Sequence, residues 1–378
     1  MKIYLYLKHF PPLGDKIIGG TSRSTHGFAS GLAACGADVV ILCEGKENTS
    51  FQTQAGYKIE CFATRQQKPT WQIAPTLKQY IRDTIHRQSI VVINGLFNLS
   101  VYGISRILKK YDIPYIMSPR SIYHPAIFQK NPLVKWPYWY IFEKRLLQEA
   151  QALQLQDSRQ AEWLRKLGIK TPIIEVHNGF NPSNFQPDSA LEWRNTGAVK
   201  LFFFGRINAY QKSLDLLLEA FAQILTSTDA HLTFQGPDGG DKKQLESRAA
   251  ELMISDKVNF LPPDYDTPPA SIMANYDIFC LPSRLEGFAN SALEAMLAGR
   301  VLLVSEIDGI APHIIASDCG VVVKPDISAI KTGLIQLLNR RTQWQEMGIT
   351  GRNYVLNYLN WHNIAANTLE IYHKMVNG

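Results

Sequence analysis

The chain has 378 residues, enough at roughly 150 residues per domain for two domains. Hydrophobic residues make up 46% and charged residues 19%, a globular composition that excludes a disordered or collagen-like chain. Lys and Arg (39) outnumber Asp and Glu (33). This mild excess suits an anionic small ligand or a membrane surface and does not by itself indicate nucleic acid. The five cysteines, Cys35, Cys43, Cys61, Cys280 and Cys319, form no CxxC pair and are odd in number. They read as reduced thiols of a cytosolic protein, not as a disulfide framework. No segment approaches the ~20 continuous apolar residues that span a bilayer. The opening MKIYLYLKHFPP is broken by Lys8 and His9 and lacks a signal-peptide cleavage site.

Along the chain, short apolar runs alternate with longer helical patterns. Strands are predicted at Ile3 to Leu7, Val39 to Cys43, Ile90 to Ile93, Tyr115 to Met117, Ala152 to Leu155 and Ile173 to Val176. Helices are expected between them, as at Thr25 to Cys35, Pro75 to His86 and Val101 to Lys110. The rhythm returns with strands at Lys200 to Phe204, Leu232 to Phe234, Val258 to Leu261, Ile278 to Leu281, Val301 to Val304 and Val321 to Val323. Such alternation predicts an α/β protein of two doubly wound, Rossmann-like domains. The polar, proline-containing stretch Asn181 to Thr196 is the expected linker. The reading is an N-terminal domain over 1–185, a C-terminal domain over 186–357 and a terminal amphipathic helix within 358–378.

Open parallel sheets bind ligands beyond the carboxyl ends of their strands, so residues just after strands are the candidates. Gly205 and Arg206 follow one strand, and Lys212 comes six residues later, before the helix from Ser213. A helix start flanked by two cations suits a diphosphate. The spacing is not a P-loop, because Gln211 stands where the second glycine belongs. The segment Ser283 to Arg300, SRLEGFANSALEAMLAGR, carries Glu286 on a loop and Glu294 on the helix that follows. Amides of Gly287, Phe288 and Ala289 are expected to face a ligand, with Asn290 as the helix N-cap. Ionised carboxylates only accept hydrogen bonds and so suit the diols of a ribose or hexose. Gly236, in Phe234 to Gly240, borders a nucleotide or makes a plain βα turn. Gly19 and Gly20 follow the first strand, where two glycines allow close backbone approach to a phosphate or sugar. No GxGxxG occurs, which argues against a dinucleotide-dependent dehydrogenase. Asp264-Tyr265-Asp266 is a DxD in a proline-rich turn. It reads as a turn, and no metal site is predicted.

Together, Gly205-Arg206…Lys212, Gly236-Pro237-Asp238 and Glu286-Gly287-Phe288…Glu294-Ala295-Met296 resemble glycosyltransferase family 4, retaining nucleotide-sugar-dependent enzymes of the GT-B fold. Gly19-Gly20 resembles the family's N-terminal glycine loop, and Val176 to Phe180 the segment that ends its first domain. Ser118-Pro119-Arg120, Lys135 and Glu143-Lys144 resemble bacterial exopolysaccharide transferases in particular. The resemblance implies two domains facing across a cleft and a last helix that crosses back to the first. It implies that Arg206 and Lys212 neutralise the donor diphosphate, Glu294 holds the ribose and Glu286 a hydroxyl of the transferred sugar. It places His124 where many members put a histidine against the donor sugar; a loop-capping histidine fits equally. The family's usual glycine after the lysine is Ser213 here. The implied activity is retaining transfer of a hexose, glucose by family frequency, from a UDP-sugar to a glycan or lipid-linked acceptor in bacterial polysaccharide synthesis, without cofactor or metal. An epimerase of the same fold and a non-catalytic sugar-nucleotide-binding subunit are the alternatives.

Lys130 to Arg145, KNPLVKWPYWYIFEKR, sets five aromatic residues among four cations. Such a stretch lies at a membrane interface or packs as an ordinary helix on the first sheet, the latter being the simpler reading.

Overall fold

The computed structural model describes all residues except 12–18, 65–69, 122, 130, 181–190, 194–195 and 378. The chain divides into two compact units, Met1–Gly179 with Trp361–Gly378, and Phe180–Asn360. The boundaries therefore fall at 179/180 and 360/361, where 185/186 and 357/358 were expected. Phe180 belongs with the later unit because its amide donates to the Leu359 carbonyl (2.9 Å) and it bridges Asn360. Most of the expected linker, 181–190 and 194–195, lies outside the described residues.

The first unit is built on eight strands: β1 (Lys2–Tyr6), β2 (Asp38–Gly45), β3 (Thr49–Gln52), β4 (Lys58–Ala63), β5 (Ile90–Asn94), β6 (Ile116–Ser118), β7 (Ala152–Leu155) and β8 (Ile173–Glu175). Their order is β3-β4-β2-β1-β5-β6-β7-β8, parallel throughout except for the antiparallel β3–β4 pair. Alternate side chains of each central strand feed two cores, one on each face. Tyr4, Tyr6, Val40, Leu42, Val91 and Ile93 join one; Ile3, Leu5, Val39, Ile41 and Val92 join the other. A parallel strand buried on both faces needs such an uninterrupted apolar run.

The second core is closed by the helix Gly20–Ala34 and the terminal helix Trp361–Asn377. Close approach of the two demands small residues. A Cβ at Gly27 would stand 2.0 Å from Trp361 Nε1, and one at Gly31 would stand 2.4 Å from the Trp361 carbonyl. The first helix starts at Gly20, five residues before the predicted start, with Gly19 as N-cap at φ 90°.

The β3–β4 hairpin was not foreseen. Its strands are short and mostly half-buried or exposed, so the apolar signal is weak. Its turn is closed by Thr53 Oγ1 donating to the Tyr57 carbonyl at 2.7 Å.

The second unit has one six-stranded, wholly parallel sheet, β11-β10-β9-β12-β13-β14. Its strands are β9 (Val199–Phe204), β10 (Ala230–Gln235), β11 (Val258–Leu261), β12 (Ile278–Leu281), β13 (Val301–Ser305) and β14 (Gly320–Val323). Their side chains and those of the flanking helices merge into a single buried cluster.

Back in the first unit, the aromatic basic segment forms a helix at Pro132–Tyr138, one π-helical turn at Trp139–Glu143 and a last α-turn at Lys144–Gln148. Trp139 is buried, while Leu133, Val134, Tyr140 and Ile141 are exposed. The π-turn swings Glu143 into the core, 1% exposed. There one oxygen accepts from Tyr123 Oη (2.6 Å) and from the Phe97 amide (3.2 Å). Burial raises its pKa from 4.5 to about 7.

Between those two pH values the folded chain holds the Glu143 proton more tightly than the unfolded chain does. The Glu143 contribution to stability is therefore full below about pH 4.5 and declines as pH rises toward 7, by on the order of 3 kcal/mol. Glu143→Gln keeps an acceptor without the charge. Urea midpoints measured from pH 5 to 8 should fall in the wild type and stay flatter in the variant. An equal slope in both would assign the decline to other groups.

Candidate active site

In the second unit, β9 ends in Gly205-Arg206 and leads to a single helical turn, Ala209–Lys212. Asn208 caps that turn by accepting from the Gln211 amide at 2.8 Å. Ser213 then takes left-handed backbone, φ 55°, with its side chain fully buried. Glycine adopts that conformation freely; serine does so at a cost of about 1–2 kcal/mol, and the turn is kept.

The loop after β12 docks onto this turn. Amides of Arg284 and Leu285 donate to the Gln211 carbonyl at 3.0 and 3.2 Å. The Arg284 guanidinium makes a bidentate pair with Asp215 (2.7 and 2.8 Å) and bonds the Tyr210 carbonyl. This fork is geometrically specific. It fixes two loops so that Lys212 Nζ and Glu286 Oε2 form an ion pair. Both side chains are largely shielded, 17% and 15% exposed, so the attraction is less screened than on an open surface. Arg206 is exposed and has no ion-pair partner among the described residues.

The helix that follows spans Asn290–Leu297, and Glu294 in its second turn is 5% exposed. Two expectations change here. The N-cap is Ala289, and Asn290 is already helical. The Ala289 amide does not face outward: it donates to Asp308 Oδ1 at 3.1 Å, and Phe288 and Ala289 are both buried. The same Asp308 oxygen takes the Ile310 amide (3.1 Å), while the Gly309 amide donates to the Gly287 carbonyl (3.1 Å). Asp308, in the loop after β13, thus holds the Glu286–Ala289 loop in place. Burial, and then the nearby Glu286 carboxylate, raise its pKa well above the usual carboxylate range. Sequence reasoning passed over this residue. Its signal was an Asp-Gly step just past β13, whose neighbour β12 leads into the Glu286 loop.

Gly236 sits against Gly205: a Cβ there would stand 2.0 Å from the Gly205 carbonyl oxygen. The loops after β9 and β10 are zipped together, Ile207 N to Pro237 O (2.9 Å) and Gly239 N to Ile207 O (2.8 Å). Asp238 closes the turn that leads into the helix Lys242–Glu251 by accepting from the amides of Gly240, Asp241 and Lys242. Packing therefore gives this glycine motif a structural purpose of its own. Asp264 of the DxD likewise accepts from the Asp266 and Thr267 amides (2.8 and 2.9 Å), closing a turn. Among the described residues no group of three or more His, Cys, Asp or Glu side chains is placed to hold a metal.

In the first unit, Gly19 and Gly20 are exposed at the start of their helix, and space is open around Gly19. His124 follows β6, half-buried, with its ring edge-on to Trp163 at 4.8 Å between centroids. Burial lowers its pKa, so the ring is neutral near pH 7. Ile122, beside it, lies outside the described residues.

The sequence profile described as Glycosyltransferase Family 4 matches residues 18–184, and that described as Glycosyl transferases group 1 matches residues 190–354. The MMP alpha-(1->4)-mannosyltransferase of Mycolicibacterium hassiacum is 26% identical over 260 residues, covering 66% of this chain and 61% of the relative. The chain thus spans about three fifths of that protein. An uncharacterized glycosyltransferase of Methanocaldococcus jannaschii is 29% identical, covering 98% of both chains. Among solved structures, sucrose-phosphate synthase from Thermosynechococcus elongatus superposes with a TM-score of 0.81 at 19% identity, covering 99% of this chain and 98% of that one. Anabaena Alr3699/HepE in complex with UDP and glucose gives 0.73 at 15% identity, covering 99% and 100%. At such identities the structures attest the fold, two Rossmann-like domains of the GT-B type. The two profiles fall one on each unit, and the chain belongs to the family 4 glycosyltransferases.

Proposed function

We propose that the protein transfers a hexose, with retention, from a UDP-sugar to a glycan or lipid-linked acceptor. The observation that carries this reading is the Lys212–Glu286 pair, held by the Arg284–Asp215 fork at the carboxyl ends of β9 and β12. A cation and a carboxylate side by side match a donor whose diphosphate adjoins sugar hydroxyls. The complex of the structural neighbour from Anabaena with UDP and glucose supports the same donor class.

In this reaction the bond from the anomeric carbon to the β-phosphate oxygen breaks, and negative charge grows on that phosphate. Lys212, with the exposed Arg206 beside the same loop, opposes the charge as it forms. Glu286 accepts a hydrogen bond from a sugar hydroxyl, and Glu294 accepts from the ribose. The acceptor hydroxyl attacks on the face the phosphate leaves, and its proton passes to the departing phosphate oxygen. None of these residues needs a metal for its part. Binding must exchange the Lys212–Glu286 contact for contacts to donor, so each partner leaves the other only when a substitute arrives.

Thermal shift with a panel of nucleotide sugars tests the donor, since a ligand that binds only the folded state raises the melting temperature. A UDP-sugar should stabilise the protein and NAD should not. Lys212→Ala should remove most of that shift and lower kcat/KM by about a hundredfold or more. Full retention of donor binding by the variant would remove the diphosphate assignment.

A lipid-linked acceptor also calls for a membrane-facing surface. Leu133, Val134, Tyr140 and Ile141 are exposed next to Lys135, Lys144 and Arg145, an apolar and basic combination suited to an anionic leaflet. Among the described residues no helix is long and apolar enough to cross a membrane. The wild-type chain should float with phosphatidylglycerol-containing vesicles at low salt, and the doubly substituted Leu133→Glu, Ile141→Glu chain should not. Absence of wild-type flotation would confine the reading to a water-soluble acceptor.

A further inference from the structure

Cations of the first unit mostly meet carboxylates: Lys8 pairs with Glu44, Arg106 with Glu149 and Arg159 with Asp157. Arg120 has no such partner among the described residues. It lies two residues beyond β6, half-buried, in left-handed backbone at φ 56°. A non-glycine residue holds that conformation only where its surroundings impose it. Its Nε donates to Asn94 Oδ1 (2.8 Å), and Asn94 Nδ2 donates to the Tyr6 carbonyl (3.1 Å). Asn94 thereby ties the guanidinium to the carboxyl ends of β1 and β5. The guanidinium carbon stands 5.8 Å from the centroid of the Phe28 ring.

Arg120 Nη2 is shut off from solvent and has no hydrogen-bond acceptor among the described residues. Two more buried polar groups of the first unit share that condition among the described residues. Thr25 Oγ1, one turn before Phe28 on the same helix, belongs to a residue 0% exposed. Gln154 Nε2, on β7, belongs to a residue 2% exposed. Gln154 Oε1 accepts from the buried Tyr372 hydroxyl; burial lowers the Arg120 pKa, and Tyr372 offsets part of that lowering. Buried donors without acceptors are uncommon, and a desolvated guanidinium without a counter-charge is costly. An oxyanion is the chemical complement of such a group. A phosphoryl group offers several acceptor oxygens to a guanidinium fork. The place fits as well, because open α/β sheets take ligands at the carboxyl ends of their strands.

We propose that Arg120 is the centre of an anion site in the first unit that takes a phosphoryl group of one of the enzyme's substrates. This deepens the glycosyltransferase reading above and rests on it. The group belongs either to a phosphorylated acceptor or to the donor diphosphate, and one set of titrations separates the two.

Inorganic phosphate is titrated at constant ionic strength into the full chain carrying Lys212→Ala, which disables the other basic site. The titration is repeated with Arg120→Gln added, and with Arg120→Lys added. Saturable binding is expected in the first chain, with a loss of roughly tenfold or more in the Gln variant and partial recovery in the Lys variant. Equal binding with and without Arg120, or no saturable binding in the first chain, overturns the proposal. UDP binding to Arg120→Gln in the otherwise wild-type chain then gives the source. Unchanged UDP affinity assigns the group to the acceptor, and a loss matching that for phosphate assigns it to the donor. A wild-type chain that binds phosphate through Arg120 but no UDP-sugar would refute the donor reading while leaving the anion site intact.

Discussion

Lys212 and Glu286 sit on loops that leave different strands, and neither loop alone would place its side chain. What places them is a set of contacts that serve no ligand: the Arg284 fork on Asp215, two amides on the Gln211 carbonyl, and Asp308 gripping the Ala289 amide. Each contact is short-ranged and directional, so the pair is set before any donor arrives. Preorganised charge of this kind is worth more than charge that must be gathered during reaction. The cost is borne by Asp308, a fully buried acid beside another carboxylate.

The first unit shows the opposite economy. Just past β6, Arg120 gives one hydrogen bond to Asn94 and keeps a shielded N–H with no acceptor among the described residues. In the second unit Lys212 and Glu286 neutralise each other, whereas Arg120 of the first unit meets no carboxylate among the described residues.

Much of the fold was legible because parallel strands buried on both faces leave plain apolar runs, and all twelve predicted strands formed. The β3–β4 hairpin escaped because one face of each short strand meets solvent and the apolar run is broken by Lys58 and Glu60. Candidate residues were read from their positions after strands, and the structure brings Lys212 to Glu286 across 74 residues of chain. The supporting contacts were not readable. Nothing local marks Asp308 as the partner of the Ala289 amide, since that bond depends on how two loops pack. The misplaced N-cap has the same origin: Asn290 has the right side chain, but tertiary contact to Ala289 starts the helix one residue earlier. Ser213 shows the reverse, a residue that departs from glycine while the backbone keeps glycine's conformation.

The most direct measurement is a crystal structure of the protein with UDP-glucose. The account predicts the diphosphate against Lys212 and Arg206, the ribose hydroxyls on Glu294 and a glucose hydroxyl on Glu286, with the Arg284–Asp215 fork unchanged. A nucleotide bound away from the ends of β9 and β12, with Lys212 still paired to Glu286, would contradict it.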